Sequence, residues 1–205
     1  MGFYSEQVVP RIIDKACGGP DMAPLRDRTC EGLSGVIVEL GFGSGLNVAS
    51  YPDDVTRVLA IEPSTVGRSL GADRISASRA PIEFSGLRGE SLPLDDDSCD
   101  GALCTFTLCT IPDVDAAMHE LLRVLRPGAP FHFLEHGVAP DPKVRRWQHR
   151  LEPLQKRLAD GCHLTRQPVE IVRSAGFRIE SFESSYLRGP KPWVYFTFGR
   201  ATAPQ

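Results

Sequence analysis

The chain alternates short apolar runs with longer stretches in which apolar residues return at helical spacing. Val36 to Leu40, Val58 to Ile61, Gly101 to Phe106 and Phe131 to Leu134 are short, nearly continuous runs, the pattern of strands buried on both faces. Between them, Thr65 to Ser78 and Val114 to Leu125 read as helices. The second sets Ala117, Leu121, Val124 and Leu125 on one face and stops at Pro127-Gly128. Upstream, Val8, Val9, Ile12, Ile13 and Cys17 predict an amphipathic helix over residues 5–17, with Pro10 tolerated only near its first turns, and a short helix from Ala23 to Cys30 follows. After residue 136 the pattern changes. Lys143 to Leu158 is a charged amphipathic helix, Thr165 to Ala175 a second one ending at Gly176, and Phe177 to Tyr186 with Trp193 to Arg200 read as an antiparallel hairpin. The β-α-β-α order predicts an α/β, Rossmann-like fold: a mostly parallel sheet with helices on both faces, an antiparallel C-terminal hairpin, and ligands at the carboxyl ends of the strands.

Composition narrows this picture. A chain of 205 residues, 41% of them hydrophobic, suits one domain. Its expected parts are an N-terminal helical cap over 1–32, a ligand-binding core over 33–136, and substrate-side helices with the hairpin over 137–205. The formal net charge of -3 supplies no broad basic field, so nucleic acid is not an expected partner. None of the 6 cysteines forms a C-x-x-C pair, so they read as reduced thiols and no metal site is expected. No signal peptide and no apolar stretch of ~18 residues occurs, which points to a cytoplasmic protein without a membrane span. The Met1-Gly2 start has Glu6 where N-myristoylation wants Ser or Thr. The leading helix and the hairpin could equally cap the pocket or pair with a second copy, so the oligomeric state stays open.

The strongest chemical signal is V-I-V-E-L-G-F-G-S-G-L-N, residues 36–47. Gly41, Gly43 and Gly45 recur at every second position, which lets the backbone turn sharply and approach a ligand where a Cβ would collide. A dinucleotide loop wants G-x-G-x-x-G, and the last position of that pattern is Leu46 here, so the turn suits a ligand without a pyrophosphate. Glu62 ends the next run, where a doubly wound fold presents a carboxylate to a ribose diol, and the ring of Pro63 could lie against an adenine. The acids Asp95, Asp96 and Asp97 read as a solvated turn, since adjacent acids cannot converge on one ion. C-T-F-T-L-C, residues 104–109, would place Cys104 and Thr105 at the end of a central strand, facing the ligand.

E-L-G-F-G-S-G, A-I-E-P, L-P-L-D-D-D-S-C-D and L-R-V-L-R-P-G together resemble the class I S-adenosylmethionine-dependent methyltransferases, in their ubiquinone/menaquinone-methyltransferase-like branch. With C-T-x-x-L-C, F-x-F-L-E-H, L-E-P-L and D-G-C-H-L-T-R, the chain is similar to the alkyl-thiol methyltransferases of animals and their bacterial relatives. The resemblance implies a seven-stranded sheet and S-adenosylmethionine as cofactor, with S-adenosylhomocysteine as product. It implies that Gly41, Gly43 and Gly45 wrap the methionine and ribose portion while Glu39 supports the loop; Phe42 and Asn47 of the same segment are candidate cofactor-binding residues. Glu62 would take the ribose hydroxyls, and Gly89 and Glu90 would flank the adenine. Two departures stand out: Phe42 replaces the commoner small residue or cysteine, and Arg88 stands where many relatives have an aspartate.

The expected partner is a small-molecule methyl acceptor, with thiols first and phenols, quinones or lipids behind. Methyl transfer from a sulfonium needs alignment, exclusion of water and a deprotonated acceptor, and an ordinary thiol with a pKa of ~8.5 is partly ionised near neutrality. His136 is the candidate base or orienting group. Tyr4, Trp147, Cys162 and His163 are candidates for the acceptor pocket, with Leu164 beside them. A protein that binds the cofactor without turning it over is the competing reading.

Overall fold

The computed structural model describes residues 3–205, so Met1 and Gly2, with the question of myristoylation, lie outside the described residues. Seven strands form one sheet: β1 (Gly35–Leu40), β2 (Val55–Ile61), β3 (Ile82–Gly86), β4 (Gly101–Thr105), β5 (Pro130–His136), β6 (Arg178–Tyr186) and β7 (Tyr195–Thr202). Their order across the sheet is β3-β2-β1-β4-β5-β7-β6. The first five pair in parallel, and β7 enters antiparallel between β5 and β6. The order reverses beside β1, whose carboxyl end therefore opens onto the crevice in which such sheets take their ligands.

The strands are where the apolar runs place them, because β1, β4 and β5 are covered on both faces. Val38, Leu40, Cys104, Phe131 and Phe133 meet Met118 and Leu121 of α5 (Val114–Val124) and Val172 of α7 (Pro168–Ser174) in one cluster. Ile37, Val58 and Leu103 meet Cys30 of α2 (Ala23–Cys30) and Tyr51 in the other. β3 leaves no mark in the hydropathy pattern, since at the sheet edge I-E-F-S-G is only partly buried.

The helices depart from expectation where proline and glycine intervene. Residues 5–17 do not form one helix. A π-helical turn over Tyr4–Val8 precedes α1 (Val9–Cys17), which places Pro10 in the first turn, where its missing N–H leaves no bond unmade. The stretch 65–78 splits at Gly71 into α3 (Thr65–Leu70) and α4 (Ala72–Ser76). The glycine turn leads only into a single 3-10 turn, Val48–Ser50, since Pro52 holds Tyr51 extended and stops any longer helix. α6 (Pro142–Leu158) is capped by Asp141, whose carboxylate accepts from the Lys143 and Val144 amides.

Candidate functional site

Strand alternation decides which faces the site residues occupy. Glu39 shares the α2 face of β1 with Ile37, and it is fully buried there. A charge so placed needs partners. Tyr51 donates its hydroxyl to one carboxylate oxygen of Glu39, and Asn47 Nδ2 donates to the other at 2.8 Å. Asn47 Nδ2 also reaches Thr105 Oγ1 at 3.0 Å. Arg26, only 4% exposed, closes the network: its guanidinium donates to Asn47 Oδ1 at 2.6 Å, to Thr105 Oγ1 at 3.1 Å and to the Cys17 carbonyl at 3.1 Å. Burial pushes the Glu39 carboxyl up to about 7, against the downward pull of Tyr51 and Asn47. The base of the glycine turn is thereby tied to β1, β4, α2 and the end of α1.

The turn itself runs through left-handed backbone at Gly41, Gly43 and Gly45, at φ of 69°, 59° and 71°. A Cβ at Gly41 would strike the Thr107 side chain, whereas a Cβ at Gly43 would meet only the Gly41 carbonyl oxygen, 3.9 Å away. Gly41 is thus required by the protein's own packing, and Gly43 leaves its outer side open. Phe42 is buried against the edge of Phe84, ring centres 5.4 Å apart, and its ring would lie 3.1 Å from a Cβ at Gly45. The aromatic ring thus fills the volume beneath the turn.

Glu62, at the end of β2, accepts from the Gly43 amide and from the Ser64 amide, both at 2.7 Å. Burial raises its pKa above the ordinary carboxylate value, outweighing those two bonds. Pro63 beside it is exposed. Gly89 is buried against Ala117, so that a Cβ added to Gly89 would lie 3.3 Å from the Ala117 methyl, and Glu90 is half-buried beside it. The open space outside Gly43, a carboxylate that ties the turn to the next strand and a buried glycine near the third strand fit an adenosyl ligand lying across β1 and β2.

Two of the expected positions are differently placed. Cys104 does not face the turn: it points to the α5 side, where its Sγ donates to Glu135 Oε1 at 3.4 Å, because it alternates with Thr105 along β4. His163 turns to α6, with Nδ1 3.1 Å from Glu152 Oε1, leaving Cys162 alone to face the sheet. Tyr4 donates to the Leu158 carbonyl at 3.1 Å at the far end of α6. Trp147 is 55% exposed on α6 under the guanidinium of Arg150, and Leu164 is core.

At the ends of β4 and β5 a second cluster forms. His136 Nε2 lies 3.1 Å from Cys162 Sγ, which lies 3.6 Å from Cys109 Sγ. The sulfur-to-sulfur contact with Cys109, together with His136, holds the Cys162 thiol well below its ordinary pKa despite burial, and raises that of Cys109. The pairing with Cys162 raises the pKa of His136, although burial works against it. Next to it Glu135, fully buried, accepts from the Thr107 amide at 2.8 Å and the Leu108 amide at 3.1 Å through Oε1. Burial pushes its carboxyl up to about 7. Glu135 Oε2 and His136 Nδ1 are buried without a protein partner.

Arg26, Tyr51, Cys109 and Glu135 thus belong to the site although sequence reasoning does not single them out. Glu135 does carry a signal. An acid ending the apolar run F-H-F-L-E repeats the placement of Glu39 in V-I-V-E.

Residues 38–133 match the family described as a methyltransferase domain. The chain is 31% identical over 162 residues to human thiol S-methyltransferase TMT1A, covering 77% of this chain and 65% of that protein. It is 31% identical over 178 residues to human thiol S-methyltransferase TMT1B, covering 82% of this chain and 71% of that one. Against rat TMT1B it spans 59% of the relative's length. Among solved structures, the [4+2]-cyclase SpnF superposes with a TM-score of 0.75 at 21% identity, over 98% of this chain and 96% of that one, which shows the shared fold. With its sheet order, its glycine turn and its human relatives, the chain belongs to the class I S-adenosylmethionine-dependent methyltransferases.

Proposed function

We propose that the protein transfers the methyl group of S-adenosylmethionine to a small-molecule thiol, in the cytoplasm. The observation that carries this reading is the 31% identity over 178 residues to human TMT1B, a thiol S-methyltransferase. When bound, the cofactor supplies a methyl group already activated on a sulfonium, so the chain's residues are left with binding, alignment and the acceptor's proton. The Glu39, Asn47, Thr105 and Arg26 network holds the turn in shape, the Gly43 edge admits the methionine and ribose portion, and Glu62 receives the ribose hydroxyls. Gly89 and Glu90 flank the adenine. His136 and Cys162 receive the acceptor, with His136 orienting or deprotonating its sulfur; Tyr4, Trp147 and His163 belong to the outer wall of that region. The activated methyl needs no metal, so any ion would act on the acceptor.

The test is a panel of acceptors, with small thiols beside phenols, quinols and lipids, followed by release of S-adenosylhomocysteine. Thiols are expected to turn over fastest. Cofactor binding without product from any acceptor would make the chain a binding protein on an enzyme's fold, and fastest turnover of a quinol would move the acceptor class.

A further inference from the structure

Among the described residues, Cys109, His136 and Cys162 bring three ligand atoms within 4.8 Å of one another. They come from three separate elements: the turn after β4, the end of β5 and the loop after α6. Neither their order nor their spacing follows a familiar motif. We propose that they form a zinc site with one open position, and that this position takes the acceptor sulfur.

The distances favour this. With Zn–S of about 2.3 Å and Zn–N of about 2.0 Å, tetrahedral ligands lie about 3.8 Å apart for two sulfurs and about 3.5 Å apart for sulfur and nitrogen. The observed separations are 3.6 Å for Cys109 to Cys162 and 3.1 Å for Cys162 to His136. Opening the cluster by a few tenths of an ångström admits the ion. Two thiolates and one imidazole are a donor set that suits zinc, and three protein ligands leave the fourth position that catalytic zinc keeps for water or substrate. Cys109 and Cys162 are 3% and 6% exposed, and His136 is partly exposed. The Nδ1 of His136 is buried with no partner among the described residues, which leaves Nε2 as the ring nitrogen that faces the two sulfurs.

The inference rests on the thiol reading and adds a device to it. Zinc binding releases the two cysteine protons. The acceptor thiol then coordinates through a sulfur lone pair and gives its proton to solvent. Its sulfur forms the new bond to the methyl carbon as the carbon–sulfonium bond breaks, and that electron pair stays on S-adenosylhomocysteine. Zinc changes neither charge state nor ligands from the protein.

The experiment measures metal directly on the full chain, purified without an affinity tag and without chelator. Expected are one zinc per chain by elemental analysis and, after exchange into cobalt, a thiolate-to-cobalt charge-transfer absorption that shifts when a small thiol is added. Cys109→Ser, Cys162→Ser and His136→Ala should each weaken zinc affinity by about 100-fold or more, and Cys162→His, which keeps a ligand, should restore most of it. Thermal melting and cofactor calorimetry on the same samples separate ligand loss from unfolding. No zinc retained and none bound at micromolar concentration overturns the site, as does zinc that survives all three substitutions or a Cys109–Cys162 disulfide under reducing conditions. Zinc bound with no turnover of any thiol defeats the thiol reading and the acceptor role while leaving the ion's place intact. Turnover of thiols by metal-free protein defeats the zinc and leaves the thiol reading.

Discussion

The two halves of the crevice are built in different ways. On the cofactor side, every residue that shapes the turn lies close in sequence or is held by a buried hydrogen-bond network: Glu39, Asn47, Thr105 and Arg26 bond one another, with Arg26 Nε left without a partner, and Glu62 is occupied by two backbone amides. On the acceptor side, the groups come from distant segments, and two buried polar atoms there lack protein partners. Many mutual hydrogen bonds hold one side in a fixed shape, whereas the other side is joined through fewer contacts between distant segments. On the proposed function, one half is a rigid seat for a constant ligand and the other a reactive pocket for a variable one.

Four outcomes sharpen or break that division. The largest effect is expected from Gly41→Ala, which forces a side chain into left-handed backbone and against Thr107. A loss of roughly 2–5 kcal/mol in urea unfolding is expected, with cofactor binding reduced alongside. Wild-type stability would mean that the turn relaxes freely and is no rigid seat.

Next is a pH effect from Glu39. Its carboxyl titrates near about 7 in the fold against 4.5 for the ordinary group. Between those values the folded chain keeps a proton that the unfolded chain has released, so stability falls as pH rises from about 4.5 to about 7 and levels off above, by up to roughly 3 kcal/mol for this group. Unfolding free energies across that range should show the slope, and Glu39→Gln should remove about half of it, since burial pushes Glu135 up to about 7 as well. An unchanged slope in the variant would assign it to other acids.

Glu62→Ala should weaken cofactor binding about tenfold or more by calorimetry, because it frees the Gly43 amide as well as removing the acceptor for the ribose diol. Unaltered affinity would take the ribose role away from it. The smallest effect on binding is expected from His136→Ala: cofactor affinity within about twofold of the parent, with turnover of a small thiol lowered about tenfold. A variant that loses both together would merge the two halves into one unit.

The same contrast governs what is legible in the sequence. Gly41 to Gly45 and Glu62 fall within one strand-turn-strand segment, so local pattern carries the backbone chemistry, and the buried strands announce themselves through unbroken apolar runs. β3 is silent because an edge strand needs no such run. Arg26 is silent because a charged residue in a short polar helix is ordinarily solvated, and only the tertiary fold turns this one inward. Cys109, His136 and Cys162 each sit in a motif that resembles relatives, yet their meeting is a product of the sheet order, which brings the ends of β4 and β5 side by side. The placement of Cys104 is legible in principle, since alternation along β4 must send it and Thr105 to opposite faces.

The N-terminal segment leans on the glycine turn. Asp14 of α1 accepts from the Ser44 hydroxyl at 2.6 Å and from Arg74 at 2.8 Å, and a Cβ on Gly18 would lie 3.2 Å from Leu46. The segment is clasped to the glycine turn from outside by a few partly exposed polar contacts, while Arg26 anchors its far end in the core. Such contacts are weak individually and weaken further in salt. Salt should therefore loosen this outer clasp at α1 while the Arg26 network behind the turn, shielded by burial, stays in place.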